Sequence, residues 1–279
     1  MRRVLVTGAS SGIGRQAVSE FLRRGWSVLA TMRRAAERRR ELYADEMLAH
    51  PGALEVTSLD VADAGERAAL VARVMETGVL DCLVNNAGYG LFGALEDLSE
   101  EQLRRQLEVN FVGAALLTRD LLPALRRCGG SVLMVSSVLG RAGFPLTSGY
   151  CASKFALEGL GESLYYELRP LGVRVGIVEP GGRKTSFGAN VEWADGASEP
   201  YRQATAAYRA LLDKVRGRRG KRSGEAVAAA IVRLAEATRV PLRTRIGGDA
   251  AAMSAAELLP VRTRTRLFGA MFRRAGVGA

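Results

Sequence analysis

The sequence is poor in the side chains that most often build metal sites and nucleophile sites. Its 279 residues include one histidine, His50, and three cysteines, Cys82, Cys128 and Cys151, which form no C-x-x-C pair. A serine hydrolase needs a base for its nucleophile, and a single histidine argues against that class. Because no histidine and cysteine cluster is present, we expect no metal site. We expect His50 to lie in a solvated loop between a helix and a strand.

Long apolar runs are also missing. No stretch of about 18 apolar residues occurs, so no membrane-spanning helix is predicted. The opening segment "MRRVLVTGASSGIG" has too few apolar residues before Gly8 for a signal peptide. An odd number of cysteines without close spacing favours a reduced, intracellular chain. These features together predict a cytoplasmic protein.

Lysine is scarce, with 4 lysines against 36 arginines, and the net charge of +11 is unevenly distributed. Residues 201–279 carry 17 basic and 5 acidic side chains, whereas residues 1–200 carry 23 and 24. We treat residues 250–279 as a basic C-terminal extension. The run "RGRRGKR" has no interleaved aromatic residues, so no specific nucleic-acid binding is expected. Apolar residues between the arginines of 261–277 indicate either a peripheral membrane contact or a packing surface, and we favour packing.

Strand-like apolar runs alternate with amphipathic helical stretches along most of the chain. The runs are short and rich in valine and leucine, which is typical of strands buried on both faces. The seven runs are 3–8, 26–32, 53–61, 80–88, 130–137, 173–181 and, more weakly, 242–248. This alternation predicts the α/β class and a doubly wound Rossmann fold, with a seven-stranded, mainly parallel sheet and helices on both faces. We expect one domain over 1–279, with 183–222 forming a mobile lid over a substrate.

A glycine-rich loop, "TGASSGIG", joins the first predicted strand to the first helix. Glycines there let a pyrophosphate approach the backbone, and the helix N-terminus offers N–H groups and a partial positive charge. The residues expected to hold a dinucleotide in this loop are Gly8, Ser10, Ser11, Gly12, Ile13 and Gly14.

The second predicted strand ends at Arg33 and Arg34, and no carboxylate follows before Glu37. Arginine suits a 2′-phosphate, whereas an acidic residue would suit the free ribose hydroxyl of NAD. NADP(H) is therefore favoured, with Arg33 as the main contact and help from Ser10. The alternative is that these arginines only form a solvated helix start.

Tyr150 and Lys154 lie four residues apart in "GYCASKFALEGL". Residues i and i+4 share one helix face, so both side chains can point into one cleft. A cation beside the phenol lowers its pKa from about 10, which makes the tyrosine a usable proton donor and acceptor. Ser137 ends the fifth predicted strand, where it can bond a substrate oxygen. Asn110 lies within a predicted helix, where a buried amide must be bonded, so a structural or relay role is expected.

The chain resembles the short-chain dehydrogenase/reductase family of the single-domain kind. The motifs that carry the resemblance span residues 3 to about 186 and are "TGASSGIG", "LDV", "NNAG", Asn110, "SS", "YCASK" and "PG" with Thr185. The resemblance implies that Tyr150 is the acid/base and that Ser137 orients the reacting oxygen. It also implies that Lys154 binds the nicotinamide ribose and lowers the pKa of the tyrosine, and that Asn110 holds a water in a proton relay.

The resemblance further implies hydride transfer between NADP(H) and a carbonyl or secondary alcohol. The cofactor contacts that it implies are Asp60 and Val61 at the adenine, Asn86, Ala87 and Gly88 at the adenosine ribose, and Pro180, Gly181 and Thr185 at the nicotinamide amide. A homodimer or homotetramer is implied as well, built on the helices that follow the fourth and fifth strands.

Segments such as "GYGLFGALEDL" and "GYCASKFALEGLGESL" resemble more closely the branch that holds 17-beta-hydroxysteroid dehydrogenase type 1 and the retinol dehydrogenases. This resemblance implies a bulky apolar substrate of steroid, retinoid or polyketide type. The steroid enzyme has a histidine in its substrate region, whereas His50 lies far from the expected cleft, so we do not expect steroid recognition in that manner. The alternative to an enzyme is a non-catalytic NADP(H)-binding sensor or scaffold.

Overall fold

A computed structural model describes residues 1–181, 191–217, 224–247 and 259–274. The strands are β1 Arg3–Val6, β2 Ser27–Met32, β3 Leu54–Ser58, β4 Cys82–Asn85, β5 Gly90–Phe92, β6 Ser131–Val135, β7 Arg174–Pro180, β8 Val191–Trp193 and β9 Arg243–Ile246. The α-helices are α1 Gly12–Arg23, α2 Ala35–Ala49, α3 Ala64–Thr77, α4 Glu100–Leu107, α5 Gly113–Arg127, α6 Ser148–Leu168, α7 Arg202–Gly217, α8 Glu225–Glu236 and α9 Val261–Arg274.

Seven of these strands form one parallel sheet in the order β3-β2-β1-β4-β6-β7-β9. Each coincides with one of the seven predicted runs, which confirms the predicted fold class. Several runs extend two or three residues beyond their strand, as after Val6, Asn85 and Val135. Those extra residues begin the loops at the carboxyl edge of the sheet. The strand order reverses between β1 and β4, and ligands of such sheets bind in the crevice at that reversal.

Helices cover both faces of the sheet, because the side chains of its strands alternate between two apolar layers. On one face α1 and α8 supply Phe21 and Ile231, both fully buried. On the other face α3, α5 and α6 supply Val74, Leu121 and Leu157. Packing on both faces holds the sheet rigid, and this fixes the positions of the loops at its carboxyl edge.

The helix predicted around Asn110 consists of two α-helices, α4 and α5, joined by a different turn. Ser99 and Gln102 form a capping box at the start of α4. Residues Glu108–Val112 then form a π-helical turn that joins α4 to α5. Such a turn adds one residue to the helical repeat and re-aims the side chains within it, often at functional sites. Here it directs Asn110 inward, where it is 1% exposed.

A second, two-stranded parallel sheet was not predicted. It pairs β5 with β8, and Phe92 lies opposite Trp193. Each strand has three residues, which is too short for a periodic pattern to reveal. The pair connects the loop after β4 to the predicted lid. Residues 183–190 and 218–222 of that predicted lid lie outside the described residues, and its mobility stays a prediction.

The C-terminal region and His50 complete the description. Of the predicted basic extension, the structure describes Leu259 to Arg274, which includes α9 with Leu267 half-exposed. Whether α9 packs against a partner or a membrane stays a prediction. In the part of the chain that is described, no helix combines the length and the apolarity needed to cross a bilayer. His50 ends α2 as its C-terminal cap, just before β3.

Candidate active site

The glycine loop after β1 passes too close to its neighbours to carry side chains. Gly8 and Gly12 have positive φ angles of 66° and 56°, which favour glycine. A Cβ added to Gly8 would lie 2.7 Å from Ala87 Cα, and one added to Gly14 would lie 2.4 Å from the Gly8 carbonyl oxygen. The loop therefore presents bare backbone at the N-terminus of α1, as a pyrophosphate requires.

Hydrogen bonds fasten this loop to the residues that follow β4. The Thr7 hydroxyl oxygen accepts from the backbone N–H groups of Asn86 and Ala87 at 2.9 and 3.0 Å. The Asn86 amide donates in turn to the carbonyls of Thr7 and Gly8 at 2.8 and 3.1 Å. Asn86 therefore shapes the loop itself. The sequence analysis left Thr7 out of the site, although this residue opens the same motif.

The first turn of α1 has the charge character of an anion site. Ser11 is its N-terminal cap in an extended conformation, and the first turn contains no acidic residue. Ser10 and Ile13 are half-buried beside it. Because the unpaired N–H groups and the helix dipole are not neutralised by a carboxylate within the turn, the positive end of the helix faces the crevice.

Arg33 and Arg34 stand at the carboxyl end of β2, next to the glycine loop, and both are exposed. Arg34 has a φ angle of 52° and caps α2. The backbone N–H of Ala35 donates to the Ser58 hydroxyl at 3.0 Å, which fixes the turn. Arg33 and Arg34 therefore stand at the edge of the sheet where the adenosine half of a bound dinucleotide would lie.

The turn after β3 is fixed by its own hydrogen bonds. The Asp60 carboxylate accepts from the Ala62 N–H at 3.0 Å, and the Asp60 N–H donates to Glu66 at 2.6 Å. The carbonyl of buried Val61 accepts from Arg67 at 2.6 Å. Asp60 and Val61 therefore form a firm polar and apolar wall at the same edge of the sheet.

Ser137 and Tyr150 meet where β6 ends and α6 begins. The two side chains are hydrogen-bonded, and the Ser137 hydroxyl oxygen also accepts from the Leu139 N–H at 3.1 Å. Gly140 lets this turn approach α6, since a Cβ there would lie 3.2 Å from the Lys154 carbonyl oxygen. The structure thus brings together the serine, tyrosine and lysine that the sequence analysis selected.

Lys154 lies one turn after Tyr150 and is 5% exposed. Its ammonium donates to the Val135 carbonyl at 2.9 Å and lies 5.9 Å from the centroid of the Tyr150 ring. Burial lowers the pKa of Lys154 to about 8, while the carboxylate of Glu158 acts in the opposite direction. The ammonium is therefore still mostly charged at neutral pH.

The pKa of Tyr150 departs from its ordinary value in the direction opposite to the expected one. Burial raises it, and the hydrogen bond with Ser137 only partly opposes that rise. The phenol is 3% exposed, so the charged form loses its hydration, whereas the Lys154 ammonium is engaged with a backbone carbonyl. The net shift of the Tyr150 pKa is therefore upward, against the expectation, because burial is its largest cause. The effect of Lys154 on that pKa stays a prediction.

Asn110 holds the segment that passes in front of Lys154. Its carbonyl oxygen accepts from the Tyr89 N–H at 3.0 Å, and its amide donates to the Tyr89 carbonyl and the Ser153 hydroxyl at 2.9 and 3.0 Å. A Cβ on Gly88 would lie 2.9 Å from the Asn110 oxygen and 3.7 Å from the Lys154 ammonium. Asn110 is therefore a bonded, structural amide, and its relay role stays a prediction.

The last predicted cofactor segment follows β7. Pro180 ends that strand, and the buried Gly181 donates its N–H to the Ile246 carbonyl at 2.9 Å. Pro180 and Gly181 thus stand at the carboxyl end of β7, which pairs with β6 and β9. Thr185 lies outside the described residues.

An aromatic cluster surrounds Tyr150, and the sequence analysis missed it. The Phe92 ring lies 6.1 Å from the Tyr150 ring, 5.6 Å from Tyr208 and 5.7 Å from Trp193. The Tyr208 ring also lies 5.7 Å from Phe144. These residues come from β5, β8, α7 and the loop before α6, so only the folded chain assembles them. The Trp193 and Tyr208 side chains belong to the segment predicted as a lid.

Comparison with known proteins identifies the family to which the chain belongs. The short chain dehydrogenase family model matches residues 2–195, which is more than half of the chain. The chain belongs to the short chain dehydrogenase family. A solved short-chain dehydrogenase from Streptomyces avermitilis superposes with a TM-score of 0.83 at 36% identity, over 98% of this chain and 99% of its own.

Curated relatives in this short chain dehydrogenase family cover less of the molecule. Human 17-beta-hydroxysteroid dehydrogenase type 1 is 44% identical over 189 residues, which are 66% of this chain and 57% of the relative. Bovine retinol dehydrogenase 8 is 39% identical over 191 residues, or 67% of this chain and 60% of the relative. The chain thus spans under two thirds of their length. The resemblance to the family and to this branch is confirmed.

A dehydrogenase with a bound cofactor is also similar. The alcohol dehydrogenase from the archaeon Thermococcus sibiricus, complexed with 5-hydroxy-NADP, superposes with a TM-score of 0.68 at 26% identity. The superposition covers 88% of this chain and 96% of the archaeal enzyme. The family membership makes this short chain dehydrogenase an oxidoreductase, and the roles of its individual residues stay predictions.

Proposed function

We propose that the protein transfers a hydride between NADP(H) and the carbonyl or secondary alcohol of a bulky apolar substrate, with Tyr150 as the acid/base. The observation that carries this proposal is the buried Tyr150, hydrogen-bonded to Ser137 and one helical turn from Lys154, at the carboxyl edge of the sheet. Each of these side chains has one chemical task in a carbonyl reduction.

Tyr150 holds the proton that the substrate oxygen receives. Because burial raises the pKa of its phenol, the tyrosine stays protonated at neutral pH and is ready to donate in the reductive direction. Ser137 orients the same oxygen through its hydroxyl. Lys154 supplies a positive charge beside the phenol, which stabilises the tyrosinate once the proton has left.

The cofactor site is supported by the bare backbone of the glycine loop and by the positive end of α1. A Cβ on Gly8 would collide with Ala87 and one on Gly14 with the Gly8 carbonyl, so the path of the loop requires glycine there, and the first turn of α1 holds no carboxylate. The exposed Arg33 favours NADP(H), since a guanidinium binds a phosphate with two parallel hydrogen bonds. When bound, the nicotinamide supplies the hydride. The similar archaeal dehydrogenase binds an NADP derivative.

The apolar substrate is supported by the rings that line the approach to Tyr150. Phe92, Phe144 and Trp193 offer apolar surface, and Tyr208 closes the cluster from α7. Ligand sites with such linings bind apolar molecules that a few polar groups orient. Steroid and retinol names among the relatives agree with this chemistry. Residues 191–217 would act as the substrate cover.

The test is NADPH oxidation with a panel of steroid, retinoid, fatty and polyketide-like ketones, run beside NADH. Tyr150→Phe should lower kcat by about a thousandfold, because it removes the proton donor. Tyr165→Phe is the matched control, since this tyrosine lies on the same helix but packs in the core away from the cleft. If the enzyme binds NADPH but turns over no ketone, the protein is a cofactor-binding sensor instead.

A homo-oligomer built on α6 is part of the proposal. Phe155 and Tyr166 are 46% and 62% exposed, and eleven residues place them on one face of that helix. A large apolar side chain exposed on such a face is commonly covered by a partner. Phe155→Arg should convert a dimer or tetramer into smaller species in analytical ultracentrifugation, whereas Arg40→Glu on the exposed part of α2 should not. An unchanged sedimentation coefficient for Phe155→Arg would refute this interface.

A further inference from the structure

A buried carboxylate follows Lys154 by one helical turn. Glu158 is 4% exposed on α6, and its charge raises the pKa of the Lys154 ammonium. Residues four apart face the same side of a helix, so Glu158 lies under the Tyr150 and Lys154 face. The proposed reaction has so far assigned no task to this carboxylate.

Arg243 of β9, at the edge of the sheet, forms an ion pair with Glu158. Its guanidinium lies 2.9 Å from Glu158, 2.6 Å from Glu162 and 3.4 Å from Glu179. Arg245 contacts the second oxygen of Glu179 at 2.8 Å. Two arginines of the last strand therefore neutralise two buried carboxylates, Glu158 on α6 and Glu179 on β7.

Such a network is costly unless each charge has a partner. An ion taken from water into the interior loses several kcal/mol of hydration, and apolar residues of similar volume often replace buried ion pairs without loss of stability. Burial raises the pKa of Glu158, and the neighbouring Glu179 adds to that rise, while Ser136 and Arg243 oppose it. Stability alone therefore does not explain why charged side chains occupy this position next to Lys154.

We propose that Glu158, fixed by Arg243, is a positioning residue that keeps Lys154 protonated and directed at the Val135 carbonyl. The inference rests on the proposed function, because it gives Lys154 its charge in the working pH range. Glu158 touches neither substrate nor cofactor, and it acts through the lysine.

The groups around Lys154 and Glu158 come from five elements. On α6 they are Tyr150 and Glu158, and on β6 the Val135 carbonyl accepts a hydrogen bond from the ammonium. The π-helical turn contributes the neutral amide of Asn110 behind Gly88. Beyond Glu158 stand Arg243, which contacts that carboxylate, and Glu179, which contacts Arg243. Among these groups, Glu158 is the carboxylate that lies on the same helix as Lys154, one turn away, and its negative charge favours the ammonium form.

Titration of Lys154 itself tests the inference without turnover. The chain has four lysines, so metabolic labelling with ¹³Cε-lysine gives few NMR signals, and Lys154→Arg assigns the relevant one. Glu158→Gln should lower the pKa of Lys154 by about one unit, because no negative charge then opposes the lowering of that pKa by burial. Glu162→Gln is the matched control, because it removes another partner of Arg243 that lies two turns from Lys154 and is 44% exposed. It should leave the lysine unchanged.

Kinetics supply the second readout. The charged lysine is lost as pH rises through its pKa, so the alkaline limb of kcat/KM should move to lower pH by the same unit in Glu158→Gln. Glu158→Asp keeps the negative charge, so the alkaline limb of kcat/KM should stay close to its wild-type pH. Should the amide disturb folding, Glu158→Met provides a neutral, apolar side chain of similar size for the same titration.

The outcomes separate the two proposals. An unchanged Lys154 pKa in folded Glu158→Gln and Glu158→Met overturns the positioning role, whatever the activity. A lowered Lys154 pKa with a matching shift of the alkaline limb supports it. If the wild-type protein reduces no ketone at all, the proposed function fails, whereas the NMR titration still decides whether Glu158 sets the charge of Lys154.

Discussion

The two sides of the cleft are built from different materials. The cofactor side consists of backbone: Gly8 packs against Ala87, Gly14 packs against Gly8, and the hydrogen bonds of Thr7 and Asn86 hold the loop in place. The substrate side consists of side chains, with the rings of Phe92, Trp193, Tyr208 and Phe144 around Tyr150. Tyr150 and Lys154 stand where the two sides meet.

This difference predicts different tolerance to change. A backbone cradle has no spare volume, because an added methyl group collides with main-chain atoms that cannot rotate away. Rings can be exchanged for other apolar groups if the total volume is roughly kept. Changes on the cofactor side should therefore abolish binding, and changes on the substrate side should alter which substrate is accepted.

Among changes that distinguish the two sides of the cleft, the largest effect is expected for Gly14→Ala. Its Cβ would lie 2.4 Å from the Gly8 carbonyl oxygen and 2.5 Å from the Asn86 amide nitrogen. The loop must then open, and NADPH affinity should fall about a hundredfold, or about 3 kcal/mol. Fluorescence titration of NADPH measures this loss. Gly159→Ala, a helical glycine whose Cβ would meet nothing within 4 Å, should bind normally and be slightly more stable.

The cradle was predictable from the sequence because its chemistry is local. Gly8 and Gly14 are required by the path of a loop of eight residues, and Tyr150 and Lys154 are four residues apart on one helix. Seven strands were predicted for the same reason, since each is a short apolar run with its own pattern. Local rules of this kind need no knowledge of the rest of the chain.

A smaller effect is expected for Thr7→Val, which breaks the fastening of the cradle but keeps its shape. The change leaves the N–H groups of Asn86 and Ala87 without the oxygen that they bond at 2.9 and 3.0 Å. Unfolding free energy should fall by about 2 kcal/mol, with weaker NADPH binding. Chemical denaturation measures this. Thr31→Val removes a single donor to the Val6 carbonyl at 3.3 Å and should cost less; equal costs would contradict the fastening role.

Arg33→Ala tests the part of the cofactor side that is a side chain. The guanidinium stands exposed after β2, and its loss should lower NADPH affinity about tenfold, with little change for NADH. The measurement is the ratio of the dissociation constants for NADH and NADPH. In the wild-type protein this preference for NADPH should become smaller at high salt, which screens the charge of the phosphate. Arg40→Ala, an equally exposed arginine farther along α2, should leave the ratio unchanged. A parallel fall for both cofactors would show that Arg33 does not read the phosphate.

The substrate side escaped prediction because distant parts of the chain build it. Phe92 comes from a three-residue strand that pairs with Trp193 across about a hundred residues. Glu158 looked like an ordinary helix residue until Arg243, from the last strand, was placed beside it. The raised pKa of Tyr150 has the same origin, since burial is a property of the assembled cluster and not of the Tyr and Lys spacing.

The smallest effect, and the sharpest for the comparison, is expected for Trp193→Ala. The indole lies 5.7 Å from Phe92 and 6.0 Å from Tyr208, with the Arg209 guanidinium 4.6 Å from its ring. Its half-exposed position means that truncation opens space without unfolding the core. KM for large ketones should rise about three- to tenfold, while kcat for small ketones and the NADPH dissociation constant stay unchanged.

Trp193→Phe is the matched control, because it keeps a ring against Phe92 and should retain most of the affinity for large ketones. The measurement is the ratio of kcat/KM between a large and a small ketone for the three proteins. If Trp193→Ala lowered NADPH affinity as strongly as Gly14→Ala, the two sides of the cleft would not be independent. A change confined to the ketone ratio would instead mean that substrate choice can be altered by the rings alone, on a cradle that stays the same.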